Sequence, residues 1–146
     1  MGSVLIVDDE PKIRELLARW LSESKYRISE APDAETALDV MAAEPADAVL
    51  CDIEMPGKGG LWLVPQLRAK FPTTAVILAT GLDTVPPVVS LQHGVVQYLV
   101  KPFKRDRVLT TVADALQWHK KAAQRAPEAH AGDPVSDWLN QSHSKE

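Results

Sequence analysis

The sequence predicts an α/β domain, doubly wound around a parallel sheet, on two observations. Five short apolar runs of strand character alternate with segments of helical periodicity, the pattern of βα units. Four of those runs stop at polar groups: Asp8-Asp9 after residues 3–7, Asp52 after 48–51, Thr80 after 75–79, and Lys101-Pro102 after 98–100. In an open α/β sheet, ligands bind beyond the carboxyl ends of the strands, and all these groups fall at that edge.

Residues 4–7 form a buried strand, being short, β-branched and unbroken by polar side chains. Pro11 suits the first turn of a helix, in which Ile13, Leu16, Leu17, Trp20 and Leu21 share one face. Residues 26–29 read as a short strand. Asp33 is the N-cap expected for a helix burying Ala34, Ala37, Leu38 and Met41. Residues 48–51 are the central strand. A third helix over about 61–70 contains Pro65, which belongs to its first turn or just past it if the helix starts near Trp62. Residues 75–79 are again wholly apolar. Pro86-Pro87 restricts the fourth helix to 87–93, with Gly94 ending it. A fifth strand covers 96–100. The last helix runs from about Asp106 to beyond Trp118 and buries Val108, Leu109, Val112 and Leu116. From Ala126 onward Pro, Gly, Ala and polar residues dominate, so the expected division is a domain over 1–121 and a linker or flexible tail over 122–146.

At 146 residues the chain is long enough for one domain with a real core. Its net charge of −4 lends no support to nonspecific nucleic-acid binding. Cys51 is the single cysteine, which excludes an intrachain disulfide and favours a reducing, cytoplasmic setting. No apolar run reaches membrane-spanning length, and the N-terminus lacks the pattern of a signal peptide. There is no internal repeat and no Gly-rich phosphate loop.

A carboxylate closing a buried strand is unfavourable unless a cation, a hydrogen bond or chemistry compensates. Asp8, Asp9 and Asp52 on one edge repel one another, and a hard divalent cation is their natural partner. Mg²⁺ prefers oxygen ligands and often bridges carboxylates to a phosphate. A carboxylate is also a nucleophile toward phosphorus, giving an acyl phosphate. That step needs charge neutralisation and a hydrogen-bond donor for the phosphoryl oxygens. Lys101 and Thr80 are of the right types, so the residues read as a Mg²⁺-assisted aspartyl-phosphorylation site.

Over roughly residues 4–120 the sequence resembles the receiver domains of two-component response regulators, including the chemotaxis regulators. The resemblance rests on Val4-Leu5-Ile6-Val7-Asp8-Asp9-Glu10, Asp52-Ile53-Glu54-Met55-Pro56-Gly57, Ala79-Thr80-Gly81 and Tyr98-Leu99-Val100-Lys101-Pro102-Phe103, in that order and each after a strand. It implies a flavodoxin-like three-layer (βα)5 sandwich with strand order 2-1-3-4-5. It implies that Asp52 accepts a phosphoryl group from a sensor histidine kinase or phosphotransfer protein. Asp9, the Asp52 side chain and the Glu54 backbone carbonyl would hold Mg²⁺, with Asp8 acting mostly through water. Thr80 and Lys101 would bind the phosphoryl oxygens, Tyr98 would be the aromatic switch coupled to Thr80, and a cis Lys101-Pro102 bond would aim the lysine. The domain would then be a phosphoacceptor switch rather than an enzyme with a separate substrate. Its output would be the face formed by the fourth helix, fifth strand and last helix, which also serves for homodimers, with no direct nucleic-acid or membrane contact. The chain is expected to be either a stand-alone regulator or the N-terminal piece of a multidomain one.

Two departures from the family pattern bear on output. Lys58-Gly59-Gly60 replaces the common Met-Asp-Gly and removes an acidic cap from the third helix. Val96-Gln97 stand where winged-helix members carry acidic residues that pair across a dimer. Glu54, two residues past Asp52, brings a further negative charge to the site and is expected to tune phosphoryl lifetime. It also occupies the place of the second acid in Mg²⁺-dependent phosphohydrolases that form an aspartyl phosphate, the competing enzymatic reading; 146 residues leave no room for a cap domain. A docking module with vestigial phosphorylation is the third reading, and the intact constellation disfavours it. Cys51 reads as an inert buried thiol. Trp20 and Trp118 read as core, and Trp62 and Trp138 as exposed contacts. His93, His119, His130 and His143 share no metal-ligand spacing.

Overall fold

The computed structural model describes residues 2–81 and 95–129. The chain alternates β1 (Ser3–Val7), α1 (Pro11–Ser22), β2 (Arg27–Ala31), α2 (Ala34–Ala43), β3 (Ala48–Asp52), α3 (Gly60–Lys70), β4 (Ala75–Thr80) and β5 (Gln97–Val100), then a C-terminal helix (Arg105–Ala129). The five strands form one sheet in the order β2-β1-β3-β4-β5, every neighbouring pair parallel. This is the flavodoxin-like order that the resemblance implied.

Strand side chains point alternately to opposite faces, and the two cores follow that alternation. Leu5, Val7, Val49, Cys51, Val76 and Leu78 pack on one face with Ala34, Ala37 and Met41 of α2 and Leu63, Val64 and Leu67 of α3. On the other face Val4, Ile6, Ala48, Leu50, Ile77, Ala79 and Leu99 meet Leu17 and Leu21 of α1 and Val108, Val112 and Ala115 of the C-terminal helix. Covered on both sides, β1, β3 and β4 are buried from end to end. The edge strands β2 and β5 carry Arg27, Glu30 and Gln97, the polar decoration expected of a sheet edge.

The helix starts follow their local chemistry. Pro11 opens α1. The Asp33 carboxylate accepts the Thr36 N–H at 2.7 Å and caps α2; that bond holds its pKa below the ordinary carboxylate value. No side chain caps α3, whose N-cap is Gly59. Because α3 begins at Gly60 rather than near Trp62, Pro65 is its sixth residue, deeper than the sequence suggests, and has no N–H to offer the Leu61 carbonyl. Gly59 and Gly60 allow the start of α3 to lie directly on the end of β3: a Cβ at Gly59 would stand 2.3 Å from the Ile53 carbonyl oxygen.

One expectation at the C-terminal half shifts and another is left untested. The helix expected over 87–93 lies outside the described residues. The last helix continues to Ala129, across the boundary set at 121, so residues 122–129 are helix where a linker was expected. Ala122, Ala123, Gln124 and Arg125 are strong helix formers and carry the last helix past Trp118.

Candidate functional site

The groups that end the strands are brought together at one edge of the sheet. Asp8 follows β1, its N–H donating to the Ala31 carbonyl at 3.2 Å, and Asp52 is the last residue of β3. Ile53 N–H donates to the Ala79 carbonyl at 2.9 Å, and Lys101 N–H to the Thr80 carbonyl at 2.7 Å. These bonds between strands fix where each side chain starts. Asp8 and Asp52 are both buried, Asp9 is exposed, and oxygens of the three carboxylates lie within 4.8 Å of one another.

Lys101 is the counter-charge. Its Nζ lies 3.0 Å from Asp52 Oδ2 and 3.8 Å from Asp8 Oδ2, with the side chain one quarter exposed. The Phe103 ring stands 6.0 Å from the same nitrogen, at the limit of a cation–π contact. The Lys101-Pro102 peptide is cis, as the resemblance implied. Burial alone would depress the Lys101 pKa, but the hydrogen bond and charge of Asp52, with the charges of Asp8 and Glu10, leave it raised. Asp8 is raised above the ordinary carboxylate range, first by burial and then by the charges of Asp52 and Asp9. The Glu10 N–H, donated to Asp8 Oδ1 at 2.9 Å, and the Lys101 charge oppose that rise.

The Glu54 N–H donates to Asp52 Oδ1 at 3.1 Å, while the Glu54 side chain is exposed and stands outside the three-carboxylate cluster. Thr80 is buried, its hydroxyl donating to the Gly81 carbonyl at 2.9 Å. Tyr98 sits on β5, half-buried against the core on the α2–α3 face. Cys51 is fully buried and its pKa is pushed far up by burial and by the charges of Asp52 and Asp8, in keeping with an inert thiol. Trp62 is half-buried with the Lys58 ammonium 4.6 Å over its ring, and Lys58 also pairs with Glu35 at 3.0 Å. His119 belongs to another part of the fold, its ring between the Thr73 carbonyl at 2.6 Å and Asp47 at 3.2 Å. His93, His130, His143 and Trp138 lie outside the described residues.

One residue at this edge escapes a reading of the sequence. Arg14 reaches back from α1 to donate through Nη1 to the Asp8 carbonyl at 2.7 Å, and its Nε pairs with Glu30 Oε1 of β2 at 3.2 Å. A bond from a side chain to a backbone carbonyl leaves no signature of spacing. In the sequence Arg14 is one more charged residue at the border of the apolar face of α1.

Chemically, the edge offers hard oxygen donors beside an ammonium, with the Thr80 hydroxyl at the end of the neighbouring strand. Mutually repelling carboxylates at this separation suit a small divalent cation. Among the described residues, no helix is long and apolar enough to cross a membrane.

A family model for the response regulator receiver domain matches residues 4–113. The transcriptional regulatory protein AruR of Pseudomonas aeruginosa is 32% identical over 142 residues, covering 93% of this chain and 58% of that protein. The DNA-binding transcriptional regulator NtrC of Escherichia coli is 30% identical over 141 residues, covering 96% of this chain and 30% of that protein. The chain therefore spans only part of the length of these relatives. Among solved structures, the receiver domain of NtrX from Brucella abortus superposes with a TM-score of 0.74 at 31% identity, covering 79% of this chain and 98% of that one.

Proposed function

The chain belongs to the response regulator receiver domain family of two-component signalling, and from that premise we propose that Asp52 is the phosphoacceptor of a Mg²⁺-dependent switch. The observation that carries this reading is the buried Asp52 carboxylate held 3.0 Å from Lys101, with Asp8 and Asp9 close by and Thr80 ending the next strand. Asp9, the Asp52 side chain and the Glu54 backbone carbonyl would hold the cation, with Asp8 acting mostly through water. When bound, Mg²⁺ neutralises charge on the phosphoryl oxygens.

A carboxylate oxygen of Asp52 attacks phosphorus of a phosphohistidine on a sensor kinase or phosphotransfer protein. The O–P bond of an acyl phosphate forms as the P–N bond breaks, and its electron pair stays on the imidazole nitrogen. Lys101 already shields the Asp52 charge and passes to a phosphoryl oxygen. The Thr80 hydroxyl gives up the Gly81 carbonyl to donate to another, and Tyr98 follows it inward. The shift in equilibrium is read on the face that includes β5 and the C-terminal helix, where a homodimer or a target docks.

Intact mass after incubation with acetyl phosphate tests the core of this reading. The expected result is a single phosphoryl adduct in wild type, dependent on Mg²⁺ and absent in Asp52→Asn. No adduct from either acetyl phosphate or a phosphorylated histidine kinase overturns the phosphoacceptor role, and an adduct persisting in Asp52→Asn overturns the choice of nucleophile. Release of phosphate from small phosphomonoesters over many turnovers would replace the switch by a phosphohydrolase.

A further inference from the structure

We propose that Arg14 is the positioning residue of the acidic turn, clamping the Asp8 carbonyl against β2 so that the Asp8 and Asp9 carboxylates face the cation; this rests on the Mg²⁺-dependent reading above. Hydrogen bonds hold Asp8 at three atoms. Its N–H donates to the Ala31 carbonyl, its Oδ1 accepts the Glu10 N–H, and its carbonyl accepts Arg14 Nη1 at 2.7 Å. The third contact has the widest reach. A peptide unit is planar, so fixing the Asp8 carbonyl also fixes the Asp9 N–H and the direction in which the Asp9 Cα leaves. Asp9 lies outside β1 and before α1, without a ladder of its own.

The other end of the clamp is anchored. Arg14 Nε pairs with Glu30 Oε1 on β2, and Glu30 lies in register with Ile6 of β1. The guanidinium thus bridges the turn to the neighbouring strand from one planar fork. The Arg14 side chain is only 17% exposed, and a charge-assisted bond made with so little water around it is strong. Lysine carries the same charge on a single rotatable nitrogen and does not reproduce the two-ended contact.

Positioning and charge predict opposite signs. A guanidinium near a cation site acts unfavourably on Mg²⁺ through its charge, so a charge role predicts tighter binding on its removal. A clamp predicts weaker binding, in the range of about 10- to 100-fold known for residues that orient metal ligands.

The test is calorimetric titration of MgCl₂ into wild type, Arg14→Lys, Arg14→Ala and Glu30→Gln, with amide exchange of the metal-free proteins and Asp9→Asn as the site control. The expected results are a Mg²⁺ Kd raised about tenfold or more in both Arg14 variants, and faster exchange confined to Glu10, whose N–H is held by Asp8 Oδ1. Glu30→Gln, which keeps the shape of the anchor, is expected to show the same effects in weaker form. An unchanged or lower Kd in Arg14→Lys overturns the clamp, as does exchange accelerated evenly along the whole sheet. A wild type that takes up no Mg²⁺ overturns the functional reading instead; the exchange data then decide the clamp alone, and unchanged protection at Glu10 overturns it.

Discussion

Replacing Asp8 by Asn should stabilise the metal-free protein at neutral pH. Asp8 is buried, within 4.8 Å of Asp52 and Asp9 and 3.8 Å from the Lys101 ammonium. At an effective dielectric constant of about 20, the Asp8–Asp52 repulsion is at least about 3.5 kcal/mol and the Lys101 attraction about 4 kcal/mol, so they nearly cancel. What remains is the burial of a carboxylate and the repulsion from exposed Asp9, and Lys101 is already closer to Asp52 at 3.0 Å. Asn keeps an acceptor for the Glu10 N–H and removes the charge. The expected gain is about 1–2 kcal/mol, a rise in Tm of roughly 3–8 °C for a domain of this size.

The pH dependence carries the sign. The Asp8 pKa is raised in the folded protein, so the stability gained by protonating it is fully present below the ordinary value of 3.8 and is lost as pH rises through the folded value. Wild type lacks this contribution at neutral pH, and the amide of the variant does not titrate. The advantage of Asp8→Asn should therefore be full near pH 7 and shrink as pH falls toward 3.8. Mg²⁺ should reverse the order, because a cation bound to the folded state stabilises wild type more than the variant. Thermal melts at several pH values, with and without millimolar Mg²⁺, measure all three effects. A variant less stable than wild type at pH 7 without Mg²⁺, or an advantage that does not fall with pH, would refute the reasoning.

Further outcomes follow from contacts around the same edge. Gly59→Ala places a Cβ 2.3 Å from the Ile53 carbonyl oxygen and disturbs the Gly60 N–H bond to that oxygen; a loss of about 1–3 kcal/mol is expected in denaturant melts. Gly57→Ala meets nothing within 4 Å and suffers only its φ of +76°, so a loss of about 1–2 kcal/mol is expected. Glu54→Ala should quicken loss of phosphate from phosphorylated Asp52 by about two- to fivefold, since an exposed charge beside the acyl phosphate opposes attack by water; an unchanged dephosphorylation rate would contradict this. Cys51 should resist iodoacetamide at pH 8 in the folded protein and react promptly in urea, because its thiol is buried and its pKa is pushed up; prompt labelling of the folded chain would remove the inert assignment.

The parts of the fold that are legible in the sequence are those buried on both faces. β1, β3 and β4 are apolar runs because helices cover them above and below, and the polar residue that ends β3 (Asp52) or β4 (Thr80), or directly follows β1 (Asp8), marks the site edge. β2 reads a little early, over 26–29 rather than Arg27–Ala31, since an edge strand mixes Arg27, Ser29 and Glu30 with apolar residues and blurs its ends. The C-terminal helix runs past its expected limit for a related reason: once the apolar face ends, composition alone separates helix from linker. The acidic and basic members of the site are visible as residue types at strand ends. Arg14 is not, because what it holds is a backbone oxygen, present at every residue and therefore silent in the sequence.

The precision of the site comes from sheet register more than from the side chains themselves. Cys51 pairs with Val7 across β3 and β1, Asp52 with Ala79 across β3 and β4, and Thr80 with Val100 across β4 and β5. Asp8 and Lys101 are each the next residue after one of these pairs, so three ladders set the positions from which Asp8, Asp52, Thr80 and Lys101 project. A slip of β5 by one residue against β4 would exchange its two faces and carry Lys101 away from Asp52. Leu99 guards against that slip, since it is buried in the core beside Ala79 and Val108, whereas its neighbour Val100 is exposed. The ammonium therefore reaches Asp52 because an apolar residue two positions earlier has one face of the sheet to bury itself in, and the hydrophobic pattern of β5 aligns the charge that ends it.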